Sequence, residues 1–274
     1  MIVFDGHVHT PFCPHGTKDP LEAYCENAIH HGLTAISFME HAPLPHNFHD
    51  PVPHQDSALS WNDLELYLLE VEKVKRAFQG SLTIYTGLEV DYIEGYEKET
   101  TKMLDTYGPS LDDSILSVHF LNFAGQYICL DYSPQSFQKL VERVGSIENV
   151  HDLYFQTVEK SILTPLGAYK PKRIGHITLS TKFQKRFPTT YLFDSKLDTI
   201  FKQMYEQSLA LDINGAGVLK PLCGETYPNP RFITRAHQYQ IPLIYGSDAH
   251  QVKAMMSGIE QLPTTIDFVT HLDR

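Results

Sequence analysis

The chain gathers imidazole near its start: DGHVHTPFCPHG, residues 5–16, places histidines at 7, 9 and 15. Further along, Glu40 and His41 stand together in FMEH, Glu89 in GLEVD, His119 in SVHF, His176 in RIGHIT, and Asp248 and His250 in GSDAH. Imidazole plus carboxylate, without organised thiolate, is a donor set for zinc, iron or manganese. Taken singly, each residue has an ordinary reading. A histidine at a strand end caps the backbone or faces solvent, and a lone glutamate is a surface carboxylate. Metal chemistry follows only if these scattered positions converge.

Short β-branched runs supply the convergence. Strands are predicted over 2–5, 34–40, 83–90, 114–120, 173–178, 208–215 and 242–248. Helical patterns lie between most of them. One has Pro20 in its first turn and stops at Gly32. A second runs from about 61 to 78, with Leu64, Leu68, Val71, Val74 and Phe78 on one face. Two more cover roughly 134–144 and 150–163, after a hairpin-like NFAGQYICLDY. Such alternation implies a parallel sheet. Seven strands in one continuous chain, with no G-x-G-x-x-G after the first, favour an α/β fold: a distorted TIM-like (β/α)7 barrel, one domain over residues 1–274. In such barrels the carboxyl ends of the strands share the face that carries chemistry. Each candidate residue falls in or near such an end, so positions more than ~240 residues apart would meet at one mouth.

Composition narrows the partners. The formal charge is −11, and the densest basic stretch is KPKR at 170–173, so a nucleic-acid surface is not expected. A small anionic substrate would need a local positive site, which bound cations could provide. No apolar run approaches the ~20 residues of a membrane span, and the amino terminus has no basic n-region. The cysteines, at 13, 25, 129 and 223, form no C-x-x-C pair, which points to a reducing cytoplasm. His30 and His31 fit the end of a helix, where imidazole complements the dipole. His151, His237 and His271 read as solvated, His46, His49 and His54 as part of a loop beside the site, and Cys13 as packing rather than a ligand.

Read together, DGHVHTPFCPHG, FMEHAPLP, GLEVDYIEGYE, SVHF, KPKRIGHITL and YGSDAH resemble the PHP family, named for its polymerase and histidinol phosphatase members. EHAPLP, EVDYI and GETYPNP are most similar to the family's histidinol-phosphate phosphatase branch. The resemblance implies a seven-stranded barrel holding three divalent ions. His7, His9, Glu89 and Asp248 would hold the first, His15, His41 and His250 the second, and His119 and His176 the third, with Glu89 bridging from the first. Glu40 would then support His41 from outside the ligand set. The implied reaction is hydrolysis of L-histidinol phosphate to L-histidinol and phosphate, by in-line attack of a metal-bridging hydroxide, with Glu89, Asp248 and His250 as catalytic residues. No phospho-enzyme is expected.

One departure concerns the anion clamp. Relatives carry a basic residue in the segment that here reads AGVLKP, where Lys220 is the only cation; Arg173 and Lys182 are further candidates. Asp91, Tyr92, Glu94 and Phe120 are candidates for the end of the site that reads the imidazole and ammonium of the leaving group. Three rivals remain. An amidohydrolase would need a metal-bridging lysine from a middle strand, where this chain offers Glu89, His119 and His176. A nuclease of the same family would need a basic groove. A metal-stabilised scaffold would not need nine intact ligand positions.

Overall fold

The computed structural model describes residues 2–270. His271, expected to be solvated, lies outside them. In chain order the elements are β1 (Phe4–Val8), α1 (Leu21–His30), β2 (Ala35–His41), α2 (Trp61–Ala77), β3 (Thr83–Asp91), α3 (Glu97–Tyr107) and β4 (Asp113–Ser117). The hairpin β5 (Phe120–Phe123) and β6 (Gln126–Cys129) follows, then α4 (Pro134–Val144), α5 (Ile147–Leu163), β7 (Arg173–Ile174), α6 (Asp194–Glu206), β8 (Ala210–Asn214), α7 (Pro230–Gln238) and β9 (Leu243–Gly246).

Seven strands form one parallel sheet in the order β1-β2-β3-β4-β7-β8-β9. The sheet curls until its edges meet: Val8 bridges Ala249 in parallel, His9 N donates to Ala249 O at 3.0 Å, and Asp248 N donates to His7 O at 2.7 Å. The result is a nearly closed seven-stranded barrel ringed by helices.

Local chemistry explains the boundaries. Ser60 caps α2 by accepting from Asp63 N, Ser133 caps α4 ahead of Pro134, and Asn229 caps α7 ahead of Pro230. Helix α2 buries Leu64, Tyr67, Val71 and Val74. Leu68 and Phe78 pack half-buried against the same core as expected, and Tyr67 joins them, its hydroxyl donating to Phe38 O and Gly87 O beneath the apolar stripe.

The middle strands are shorter than their sequences suggest. The segment 173–178 pairs only through Arg173 and Ile174, and 114–120 is a strand only to Ser117. At Gly175 the backbone passes so close to Ser117 that a Cβ would lie 2.1 Å from its Oγ. His119, His176 and Asp248 therefore stand on the turns just beyond β4, β7 and β9, and not within the strands.

Candidate metal centre

The register fixes the first neighbours. His41 at the end of β2 pairs with Glu89 on β3, and β1 and β9 bring His7 and His9 beside Asp248. Glu89 is 1% exposed and sits at the centre. Its Oε2 lies 3.1 Å from His41 Nδ1, 3.4 Å from His7 Nε2 and 3.5 Å from His9 Nε2. Its Oε1 lies 3.0 Å from His176 Nε2 and 3.7 Å from His119 Nε2, and accepts from Ser117 Oγ at 2.6 Å. Each oxygen of one carboxylate thus faces its own group of imidazoles.

Asp248 forms the second focus. Its Oδ1 is 3.0 Å from His9 Nε2, 3.8 Å from His7 Nε2 and 3.5 Å from His250 Nδ1, while Oδ2 accepts from Asn214 Nδ2 at 3.1 Å. Its φ of 52° lies in the left-handed region, which aspartate tolerates better than most residues. The kink turns its carboxylate into the mouth. His15 completes the rim: its ring centroid is 5.2 Å from that of His41 and 5.0 Å from that of His250.

Most of these rings are tethered from behind. Through Nδ1, His7 faces Asp212 Oδ2 at 3.1 Å, His9 faces Glu40 Oε1 at 3.2 Å, and His119 faces Asp91 Oδ1 at 2.8 Å. His15 and His250 meet the carbonyls of Asp56 and Asp248 in the same way. A proton on Nδ1 satisfies all five and leaves the Nε2 lone pair aimed inward, which is how imidazole ligands are oriented and made more basic. The Nε2 atoms of His7 and His9 and Nδ1 of His41 are buried without a hydrogen-bond partner. Buried nitrogens left unpaired cost stability unless something satisfies them. These residues fit divalent cations.

The electrostatics agree. Burial opposes charge on His9 and His119, but the facing carboxylates (Asp248 and Glu40; Asp91 and Glu89) outweigh it and raise them to about 9 and about 10. Burial also disfavours an ionised Glu89, yet His7, His41, His119 and His176 hold it well below the usual carboxylate range.

Among the described residues, three groups of side chains could each hold an ion: His7, His9 and Glu89; His41, Glu89 and His119; and His9, Cys13, His41 and His250. Six of the nine expected ligands fall in these groups, and His15, His176 and Asp248 stand beside them at the same mouth. Cys13, read from sequence as packing, is fully buried, with its sulfur beside His9, His41 and His250.

The cluster opens into a cavity of about 300 Å³. Its other walls include Phe120, Asp131, Tyr132, Lys182, Lys220 and Tyr227. Of the expected cations, Lys182 and Lys220 line it. Arg173 does not. It is fully buried inside the barrel, where Nη2 donates to Asp113 Oδ2 at 2.6 Å and to Gly6 O at 2.9 Å, and Nη1 stands 3.9 Å from Asp212 Oδ1. A guanidinium held there cannot reach a ligand at the mouth.

Of the residues expected at the leaving-group end, Phe120 lines the cavity. Asp91 also lines it but is engaged by His119. Tyr92 turns to Glu97 and Thr164, and Glu94 to Lys160. His151 is not solvated: it is buried under Tyr191 and Phe193, with Nδ1 at 2.9 Å from Ser180 Oγ. Sequence reasoning also missed Asp212 and Asp131. Asp212 carried a legible signal, a carboxylate inside the buried strand LDIN; Asp131 carried none.

Comparison with known proteins agrees with this geometry. The family model described as PHP domain matches residues 5–216. Histidinol-phosphatase of Bacillus subtilis is 48% identical over 249 residues, covering 90% of this chain and 93% of that protein. A crystal structure from Listeria monocytogenes, provisionally assigned as a histidinol phosphatase, superposes with a TM-score of 0.90 at 37% identity and covers 94% of this chain and 98% of its own. A histidinol phosphate phosphatase from Lactococcus lactis, solved with zinc, L-histidinol and phosphate, shares the fold at a TM-score of 0.68 and 21% identity, covering 91% of this chain and 86% of its own.

Proposed function

Since this chain belongs to the PHP domain family, we propose that it is a metal-dependent histidinol-phosphatase, a phosphoric monoester hydrolase that converts L-histidinol phosphate to L-histidinol and phosphate. The observation that carries the reading is Glu89, one buried carboxylate whose two oxygens face five imidazoles drawn from β1, β2 and the turns after β4 and β7. The 48% identity to a histidinol-phosphatase over nine-tenths of the chain supports the substrate.

Three ions fit best. His7, His9, Glu89 and Asp248 would hold the first, His15, His41 and His250 the second, and His119 and His176, with Glu89, the third. Zinc, iron or manganese suit such donors. Bound there, the ions would neutralise the phosphoryl oxygens and lower the pKa of coordinated water toward ~7.

The chain's own residues do the rest. Glu89 ties the two histidine groups together and fixes their spacing. Asn214, His7 and His9 hold the Asp248 carboxylate at the cavity edge, beside His250, where it can take up or pass the proton that the departing alkoxide needs. Lys182 and Lys220 line the same cavity and complement the phosphate dianion on a molecule of net charge −11. A cavity of about 300 Å³ suits a small monoester. No helix among the described residues is long and apolar enough to cross a membrane. All four cysteines are buried as free thiols, which supports the reducing cytoplasm as the working compartment.

The test is phosphate release from L-histidinol phosphate against several other monoesters, with metal content measured on the same sample. A preference for histidinol phosphate with close to three ions per chain is expected. Two ions and no phosphatase activity would overturn the reading and favour an amidohydrolase; rapid trimming of single-stranded DNA would favour a nuclease.

A further inference from the structure

One ion pair in the cavity contains a carboxylate, Asp131, that the mechanism above leaves unused. Asp131 stands just after the β5–β6 hairpin, and Lys182 just after the short 3-10 turn (Leu179–Thr181) that follows β7. Lys182 Nζ donates to Asp131 Oδ2 at 2.7 Å, and both residues line the cavity beside His119 and His176. Asp131 Oδ1 also faces the Cys129 thiol at 3.4 Å. The side chains are 18% and 20% exposed, so the pair is largely desolvated while still reachable from the cavity. A buried pair of this kind rarely gains much stability over apolar packing, so stability gives little reason for its presence.

The substrate supplies a reason. L-Histidinol phosphate carries its phosphate on one carbon and its ammonium on the next, two opposite charges a short fixed distance apart. Asp131 and Lys182 form the matching dipole on the wall next to the cluster. We infer that Asp131 and Lys182 read these charges together: Lys182 turns to the phosphate while Asp131 takes the substrate's ammonium in its place, so the enzyme selects monoesters with a cation adjacent to the ester carbon. The inference rests on the histidinol-phosphatase reading.

The other carboxylates on the cavity wall are less suited. Glu89 and Asp248 belong to the cluster, and Asp91 tethers His119. Asp56 is the one alternative among the described residues, across the cavity on the 42–60 loop. The burial of Asp131 would by itself favour its neutral form, but Lys182 and then His119 hold its carboxyl far below the ordinary range, so the anion is the form on offer.

The experiment compares kcat/KM for L-histidinol phosphate and for its deamino analogue, 3-(imidazol-4-yl)propyl phosphate, in the metal-loaded protein. Losing one charged hydrogen bond is worth about 1.5–3 kcal/mol, or roughly 10- to 150-fold. In D131N the ratio of the two constants should fall by that factor, and D131E should restore part of it. Two other results would overturn the inference: an equal fall on both substrates, which makes Asp131 only a prop for Lys182, or a loss of the ratio in D56N but not in D131N. If the unaltered protein releases phosphate from neither compound, the failure lies with the phosphatase reading itself.

Discussion

Asp212 Oδ2 stands 3.1 Å from His7 Nδ1, although 205 residues of sequence separate them. Both side chains are fully buried, and the other carboxylate oxygen faces Arg173 at 3.9 Å. A floor of charge inside the barrel therefore supports the centre at its mouth. Asp212 fixes which nitrogen of His7 carries the proton and strengthens the other as a donor.

Replacing Asp212 by asparagine should weaken metal binding by about 10- to 100-fold while leaving the fold in place. Competition with a chelator, read by elemental analysis, measures this. Unchanged affinity would mean that His7 is oriented by packing alone.

Glu89→Gln should be more severe, with a loss beyond the ~100-fold of an outer-shell change, because it weakens a direct ligand facing both histidine groups. More than one ion per chain should be lost together. Loss of a single ion with the others retained would show that Glu89 does not bridge.

Arg173→Met should cost about 3–5 kcal/mol of stability, because the Asp113 carboxylate loses its charged partner and keeps only the hydrogen bonds from Ser37 Oγ and Ser114 N. That is a large share of the ~5–15 kcal/mol typical of a folded domain, so a lower yield is expected. In the fraction that folds, KM should be nearly unchanged. A raised KM with normal stability would return Arg173 to the phosphate-clamping role its sequence position suggested.

His151 makes stability depend on pH. Burial lowers its pKa from the ordinary 6.5 to about 4. Below pH 6.5 the unfolded chain takes up a proton that the folded chain refuses, so stability falls as pH drops from about 6.5 to about 4. The shift corresponds to roughly 3 kcal/mol over that window. His151→Gln should flatten the acid limb of the urea midpoint between pH 7 and 5. An unaltered slope would place the acid sensitivity elsewhere.

What was legible in the sequence was whatever repeats. The seven β-branched runs and most of the polar residues at their ends follow from strand period and barrel geometry, whereas the nine-residue ligand set, His15 included, rested on the family resemblance. Roles set by contacts across the barrel could not be read either way. Arg173 reads from KPKR as a candidate phosphate clamp, and only the inward turn of β7 shows it meeting Asp113. His151 sits on α5 between Val150 and Asp152, and the loop carrying Tyr191 and Phe193 covers it. Asp131 follows a hairpin whose return path no local pattern specifies. Asp91 was placed correctly at the mouth but has His119 as its partner.

The seam between β1 and β9 sets an order of events during synthesis. His7 and His9 leave the ribosome first, yet Asp248 and His250, which meet them across that seam, arrive some 240 residues later. At ~5–20 residues per second the early imidazoles wait many seconds without their full grip on a cation. The nascent chain is thus spared a completed hydrolytic centre until nearly all of the barrel around it has been made.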